Sequence, residues 1–107
     1  MSTYLHVTLE VKAAGLARFM GAMGEAVPIL EAQGWKLAGA FVQRTGRLNT
    51  VIDLWELDDF GHFDRGLKAF LAHPSFAGIK AVLDDTVLSE TIVFADKAPY
   101  MRQDNRA

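Results

Sequence analysis

Cysteine is absent from this chain of 107 residues. Disulfide bonds, thiolate nucleophiles and cysteine-ligated metals are therefore excluded. A large excess of either charge is also lacking, because the net charge is −2. The 11 lysines and arginines are scattered singly and form no basic cluster. Since nucleic acids and anionic membrane surfaces are bound through clustered basic residues, we expect neither as a partner.

Long apolar runs are missing as well. No segment approaches the roughly 18 apolar residues that a membrane-spanning helix requires, and residues 1–12 lack the apolar core of a secretory signal. With the lack of cysteine, these features predict a cytoplasmic protein. No nucleotide-binding glycine loop, nucleophile elbow or redox motif is found, so we predict no cofactor.

Half of the residues are hydrophobic, which is enough for the core of one domain. We place this domain at residues 1–95 and a loose polar tail at 96–107. Alternating or helical apolar periods predict strands at 4–11, 35–45, 48–57 and 86–95, a helix at 13–33, and a second helix from residue 60 that breaks at His73-Pro74 before a further short helix. Pro28 is expected to bend or interrupt the first helix, and Gly34 to end it.

The order β-α-β-β-α-β with short, right-handed connections predicts a ferredoxin-like α+β fold. The sheet is antiparallel, its first and third strands are central neighbours, and its helices lie on one face. Asp58 and Asp59 are suited to begin the second helix. Arg65 is expected to form a surface salt bridge with one of them, with anion binding as a weaker alternative.

The alternation of the two central strands assigns their residues to the two faces of the sheet. We expect the helices to cover Leu5, Val7, Leu9 and Val11 together with Leu48, Ile52 and Leu54. The uncovered face would then carry Tyr4, His6, Thr8 and Glu10 beside Asn49, Val51, Asp53 and Trp55. Such a mixture of apolar and polar groups is typical of a semi-enclosed ligand cavity. A second copy of the sheet would close it, so we predict a homodimer that binds a small molecule.

His6 and Asp53 are the candidate catalytic residues. A carboxylate beside an imidazole fixes its tautomer and makes it a general base. The alternative is a structural hydrogen-bonded pair at the dimer seam. The candidate substrate-binding residues have alternatives too: Glu10 as a solvated strand end, Asn49 as a turn residue, and Tyr4 and Trp55 as interface anchors. Thr8 and Val51 complete this set.

His62 and His73 lie eleven positions apart, on or near the second helix. A metal site would require both to converge with His6 from different elements, so we predict no metal site. Haem ligation by one histidine is a further alternative with no better support.

Three segments resemble the middle of a NIPSNAP domain: Trp35 to Phe41, then Gly46-x-Leu48-Asn49-x-Val51-x-x-Leu54-Trp55, then Asp59-x-x-x-Phe63-x-Arg65. The resemblance extends from about Tyr4 to about Phe94. One departure is that many members of the family have histidine where this chain has Asp53. A ligand or proton-transfer role of that histidine is therefore not carried over to Asp53 unchanged.

The resemblance implies a dimeric α+β barrel. Relatives of that wider fold include cofactor-free monooxygenases, haem-degrading enzymes, haem peroxidase-like proteins, small isomerases and proteins without known activity. Fold alone does not choose among them. Two functions follow as hypotheses: a cofactor-independent acid–base enzyme, monooxygenase- or isomerase-like, with a largely apolar substrate, or a non-catalytic dimeric binding or scaffolding module.

Overall fold

The computed structural model describes residues 2–101, so the end of the predicted tail, 102–107, lies outside the described residues. The elements follow the predicted order and include the short helix after Pro74. They are β1 (Thr3–Val11), a 3₁₀ turn (Ala13–Gly15), α1 (Leu16–Glu31), β2 (Lys36–Val42), β3 (Thr50–Leu57), α2 (Phe60–Ala72), α3 (Phe76–Thr86) and β4 (Val87–Ala95).

The four strands form one antiparallel sheet in the order β2-β3-β1-β4. The predicted central position of β1 and β3 is confirmed, as is the ferredoxin-like α+β fold. No helix among residues 2–101 combines the length and the apolar character needed to cross a bilayer.

Local sequence signals set most element boundaries. The Asp59 carboxylate accepts a hydrogen bond of 2.8 Å from the His62 amide and so begins α2. It also forms the predicted salt bridge with Arg65, at 3.6 Å. Gly34 adopts a φ of +90° directly after α1, as expected of a residue that ends a helix. However, α1 continues through Pro28, because only the last turn of the helix follows this residue and one donor is lost.

The turn between β2 and β3 is longer than predicted. β2 ends at Val42 and β3 begins at Thr50. Gly46 has a φ of +72° and Asn49 a φ of +61°. Asparagine tolerates this left-handed conformation better than most residues, and the Asn49 carbonyl accepts a 3.0 Å hydrogen bond from the Val11 amide. Asn49 therefore has a structural role at the start of β3.

The pairing register overturns the predicted assignment of β3 to the two faces. Residues directly opposite each other in an antiparallel pair point to the same face. Val51, Asp53 and Trp55 therefore lie beneath the helices with the apolar row of β1. Ile52 and Leu54, predicted to lie there, are on the open face instead. The pairs that establish this are Leu5 with Trp55, Val7 with Asp53, Leu9 with Val51, Thr8 with Ile52 and His6 with Leu54.

The reason for this orientation appears when all residues on each face of β3 are compared. Val51, Trp55 and Leu57 are 5%, 2% and 1% exposed, and each such burial contributes about 1.5–3 kcal/mol. The competing row ends in Glu56, whose ionised carboxylate would be costly to bury. Burying Asp53 with the apolar row also costs free energy, but the burial of Val51, Trp55 and Leu57 outweighs that cost. The predicted His6–Asp53 pair is therefore wrong, since the two side chains lie on opposite faces of the sheet.

Leu48, which was also predicted to lie under the helices, precedes β3 and is 60% exposed. It belongs to the extended turn, where the chain has not yet entered the sheet, so strand alternation does not apply to it.

Candidate functional site

A cavity of about 270 Å³ lies between the sheet and the helices. Its floor is formed by Leu5, Val7 and Leu9 of β1 together with Asp53 and Trp55 of β3. Met23 and Leu30 of α1 and Phe63 of α2 contribute to its other walls. Apart from Asp53, its one ionisable lining residue among the described residues is Glu90, which is exposed on the edge strand β4.

Aromatic rings build one wall of this first cavity. Trp35 makes an edge contact with Trp55, with ring centroids 5.4 Å apart, and stacks on Phe63 at 5.7 Å. The Trp35 indole donates a hydrogen bond of 3.1 Å to the His62 carbonyl. The indole lies against Gly66 of α2, where a side chain would collide with it. This wall is therefore rigid, because packing and a hydrogen bond both fix the indole.

Asp53 is the chemically distinctive residue of the cavity. It is 4% exposed, and burial raises the pKa of its carboxyl group above the usual value of 3.8. Burial is the cause of that shift, and none of the salt bridges between residues 2–101 involves Asp53. A carboxyl group in such surroundings is easily protonated and, once ionised, is a stronger base than a solvated one.

A second cavity, of about 370 Å³, lies between α1 and the β2 side of the sheet. Met20 and Val27 of α1 and Val42 of β2 contribute to its predominantly apolar lining. Asp53 lines this second cavity as well as the first, and Met23 is the other residue common to both. The carboxyl group of Asp53 therefore stands at the boundary between two apolar spaces.

His62 supports the site from outside the cavities. Its Nδ1 accepts a 3.0 Å hydrogen bond from the Asp58 amide, and its Nε2 donates to the Gln33 carbonyl at 2.6 Å. The ring is thus a neutral imidazole that ties the start of α2 to the loop before β2. In the described part of the chain, no group of three or more histidine, aspartate or glutamate side chains is arranged to hold a metal ion.

The predicted site residues of β1 lie away from both cavities. Tyr4, His6, Thr8 and Glu10 are on the open face of the sheet, where His6 is exposed and the other three are half-buried. Glu10 forms a surface ion pair with Arg47 at 3.4 Å. Of the predicted residues of β3, Asp53 and Trp55 line the first cavity, and Val51 and Asp53 the second.

The sequence analysis predicted neither the aromatic wall nor the position of Met23 between the two cavities. Trp35 and Phe63 enter the sequence analysis only as parts of the family-like segments, and Met23 only as a residue within the predicted helix at 13–33. The missed signal was the row that Trp55 shares with Leu57. Two large apolar residues at alternate positions indicate the buried face of β3, and with it the burial of Asp53.

Comparison with known proteins agrees with this fold. Residues 4–97 match the profile of the NIPSNAP family. An uncharacterised NIPSNAP domain protein from Burkholderia xenovorans is 20% identical, with 96% of this chain and 100% of that chain covered and a TM-score of 0.79. A NIPSNAP family protein from Agrobacterium tumefaciens is 13% identical, with 94% and 96% covered and a TM-score of 0.83.

A solved antibiotic biosynthesis monooxygenase is similar in fold, at 16% identity, 91% and 99% coverage and a TM-score of 0.71. No curated protein has a significantly similar sequence. The family profile covers nearly the whole chain, including all four strands and all three α-helices. The chain therefore belongs to the NIPSNAP family.

Proposed function

We propose that this protein binds a small, largely apolar molecule in the first cavity and that Asp53 exchanges a proton with it. The observation that carries the proposal is the burial of this carboxyl group in an apolar cavity, without a counter-ion among the described residues. Proteins seldom bury a carboxyl group in this way, and perturbed groups in cavities are often functional.

The chemistry that fits is general acid–base catalysis without a cofactor. The ionised Asp53 would take a proton from a weakly acidic C–H or O–H group of an apolar substrate and later return it. The apolar walls would exclude water and so strengthen the electrostatic interactions in the site. Both the isomerase-like and the monooxygenase-like hypotheses begin with such a step, and the fold similarity to an antibiotic biosynthesis monooxygenase is compatible with the latter. Asp53 replaces His6 as the proposed base.

The proposal is tested with 2-tetralone, an apolar ketone whose α-protons are weakly acidic. Proton NMR in D₂O follows the exchange of these protons for deuterium. We expect the protein to accelerate exchange above the buffer rate, and Asp53→Asn to reduce that acceleration about a hundredfold, the usual scale of one general base.

His6→Ala is the matched control, because His6 lies on the opposite face of the same sheet. It should exchange at the wild-type rate. No acceleration by the wild type, or full activity of Asp53→Asn, would contradict the proposal. If His6→Ala loses activity and Asp53→Asn keeps it, the site lies on the open face instead.

The open face supports a second candidate function. Phe41 and Val93 are 55% and 50% exposed there, beside the half-buried Ile52 and Leu54. These apolar side chains flank the polar row of β1 on the same face, and exposed apolar surface of this kind is typical of a protein–protein interface. We propose that a second copy of the sheet covers it and forms a homodimer. If scaffolding is the function, this interface performs it, and the first cavity is a packing defect that binds no ligand.

Sedimentation equilibrium of Val93→Asp tests the interface. The variant should be monomeric where the wild type is dimeric, because a carboxylate would be buried at the seam. Leu71→Asp is the control, since Leu71 is also 50% exposed but lies on α2. Equal masses for all three proteins would contradict the homodimer. A monomeric Val93→Asp that still accelerates ketone exchange would separate the cavity function from assembly.

A further inference from the structure

We infer that the bound molecule is elongated, with a polar group near its middle and an apolar arm on each side. The inference rests on the proposed function, because it takes Asp53 as the group that the ligand's polar atom meets. It adds the class of ligand: one arm occupies the first cavity and the other arm occupies the second.

The positions of the two cavities relative to the sheet carry this inference. The first extends from Asp53 across β1 toward the edge strand β4, where Ile92 lines it. The second extends from Asp53 toward the opposite edge, where its lining includes Ala40 and Leu37 of β2. Ala40 is the direct neighbour of Asp53 in the sheet. A ligand whose polar group meets Asp53 therefore has apolar space on both sides.

Met23 forms the other part of the boundary. It lies on α1, is half-buried, and lines both cavities. A methionine side chain is unbranched and flexible, so a change of rotamer moves it out of the path at little energetic cost. The boundary above Asp53 is thus adjustable, in contrast to the fixed indole wall of Trp35.

The volumes suit two arms of moderate length. An apolar cavity of about 150 Å³ accommodates a molecule of the size of benzene. The two cavities, of about 270 and 370 Å³, each exceed this volume. Each is therefore large enough for an arm of four carbon atoms. A secondary alcohol is a suitable polar centre for a probe, because its hydroxyl group hydrogen-bonds to Asp53 whether the carboxyl is protonated or ionised.

Two glycines of α1 provide a variant and its matched control. Gly24 lines the second cavity, whereas Gly21 lies on a groove between α1 and α3. A Cβ atom at either position would have no neighbour within 4 Å. The Cβ atom of a leucine at each site therefore fits without collision, and both substitutions raise helix propensity equally. Only Gly24→Leu takes up space in the second cavity.

The experiment compares 5-nonanol with 2-hexanol by chemical-shift titration. 2-Hexanol keeps the hydroxyl group and one butyl arm and has a methyl group in place of the other. Wild-type protein should bind 5-nonanol about fiftyfold more tightly, the effect of burying three further methylene groups. Gly24→Leu should reduce this ratio to below about fivefold, and Gly21→Leu should leave it unchanged. Asp53→Asn should weaken both alcohols about fivefold through the changed hydrogen bond.

The outcomes separate the two proposals. If Asp53→Asn weakens both alcohols but Gly24→Leu binds 5-nonanol as Gly21→Leu does, the two-armed ligand is wrong and the site at Asp53 stands. If neither alcohol binds, or if Asp53→Asn binds both as the wild type does, the proposed site itself is overturned. Selective loss of 5-nonanol in Gly24→Leu supports the inference.

Discussion

Adding one methyl group at Gly66 should destabilise the protein and disturb the wall of the first cavity. A Cβ atom built on Gly66 would lie 2.6 Å from Cε2 of Trp35 and 3.0 Å from its Cδ1. Ordinary carbon–carbon contacts begin about 0.5–1 Å further out. Because Gly66 is in the middle of α2, the backbone cannot easily move away, so the indole of Trp35 must shift in Gly66→Ala.

The magnitude follows from what holds the indole. A shift of about 1 Å would weaken its hydrogen bond to the His62 carbonyl, worth about 1 kcal/mol. It would also disturb the ring contacts with Trp55 and Phe63, worth about 0.5–1.5 kcal/mol each. Alanine recovers about 1 kcal/mol over glycine in a helix. The net loss should be about 2 kcal/mol, or about 10 °C in Tm for a domain of this size.

Urea unfolding measures the change, with Gly78→Ala in α3 as the control. A Cβ atom at Gly78 would meet nothing within 4 Å, so this variant should gain about 0.5–1 kcal/mol from helix propensity alone. The two glycine-to-alanine variants should therefore differ by about 3 kcal/mol. A Gly66→Ala protein at least as stable as Gly78→Ala would refute the packing argument.

Two further predictions concern the buried ionisable side chains. Burial raises the pKa of Asp53 in the folded state above 3.8. As pH rises, the Asp53 carboxyl group therefore ionises first in the unfolded chain, and the free energy of unfolding falls until the same group is ionised in the folded state. Asp53→Asn should thus be more stable than wild type at neutral pH, with the advantage vanishing below about pH 3.8 in melting curves; a pH-independent difference would contradict this. His62→Leu should cost about 2 kcal/mol in urea unfolding, because two backbone hydrogen bonds are lost. The exposed His73→Leu loses one hydrogen bond, from the Ser75 amide, which water can replace, and should cost under about 1 kcal/mol; equal losses would count against the anchoring role of His62.

The order of the elements was predictable because its signals are local. The strict alternation of β1 required only the residues of that strand. The start of α2 followed from Asp59, whose carboxylate accepts a backbone amide hydrogen bond as expected of its residue type. The turn before β3 was harder, because the left-handed conformation of Asn49 moves the start of the strand by two residues. Asparagine permits that conformation without requiring it.

The faces of β3 were not predictable from Asp53 and Trp55 alone. Both rows of this central strand contain apolar residues, so alternation does not distinguish them as it does in β1. Pairing with β1 and cover by the helices determine the outcome, and these are long-range interactions. Leu57 and Glu56 at the end of the strand carry the deciding difference in burial energy. The sequence-based prediction instead assigned the faces from the polarity of Asp53 and did not take Leu57 and Glu56 into account.

The cavities were beyond sequence reasoning for a different reason. A cavity is the space that side chains from several elements leave unfilled, and the spacing along any one helix does not give its volume. The apolar period of residues 13–33 predicts a helix that contains Met23. It does not indicate that Met23 lies between two spaces, which depends on how α1 sits over β2 and β3.

The isolation of Asp53 links stability to function. Its direct neighbours in the sheet are Val7 and Ala40, and Met23 of α1 lines the same two cavities. None of these side chains bears a charge or a strong hydrogen-bond donor, so the ionised carboxylate is destabilised by burial without compensation. Packing alone gives no reason to keep a residue that lowers the stability of the folded state, and Asp53→Asn is expected to raise that stability. If the same variant gains stability and also loses proton exchange with the ketone, the unfavourable burial is explained by catalysis rather than by the fold.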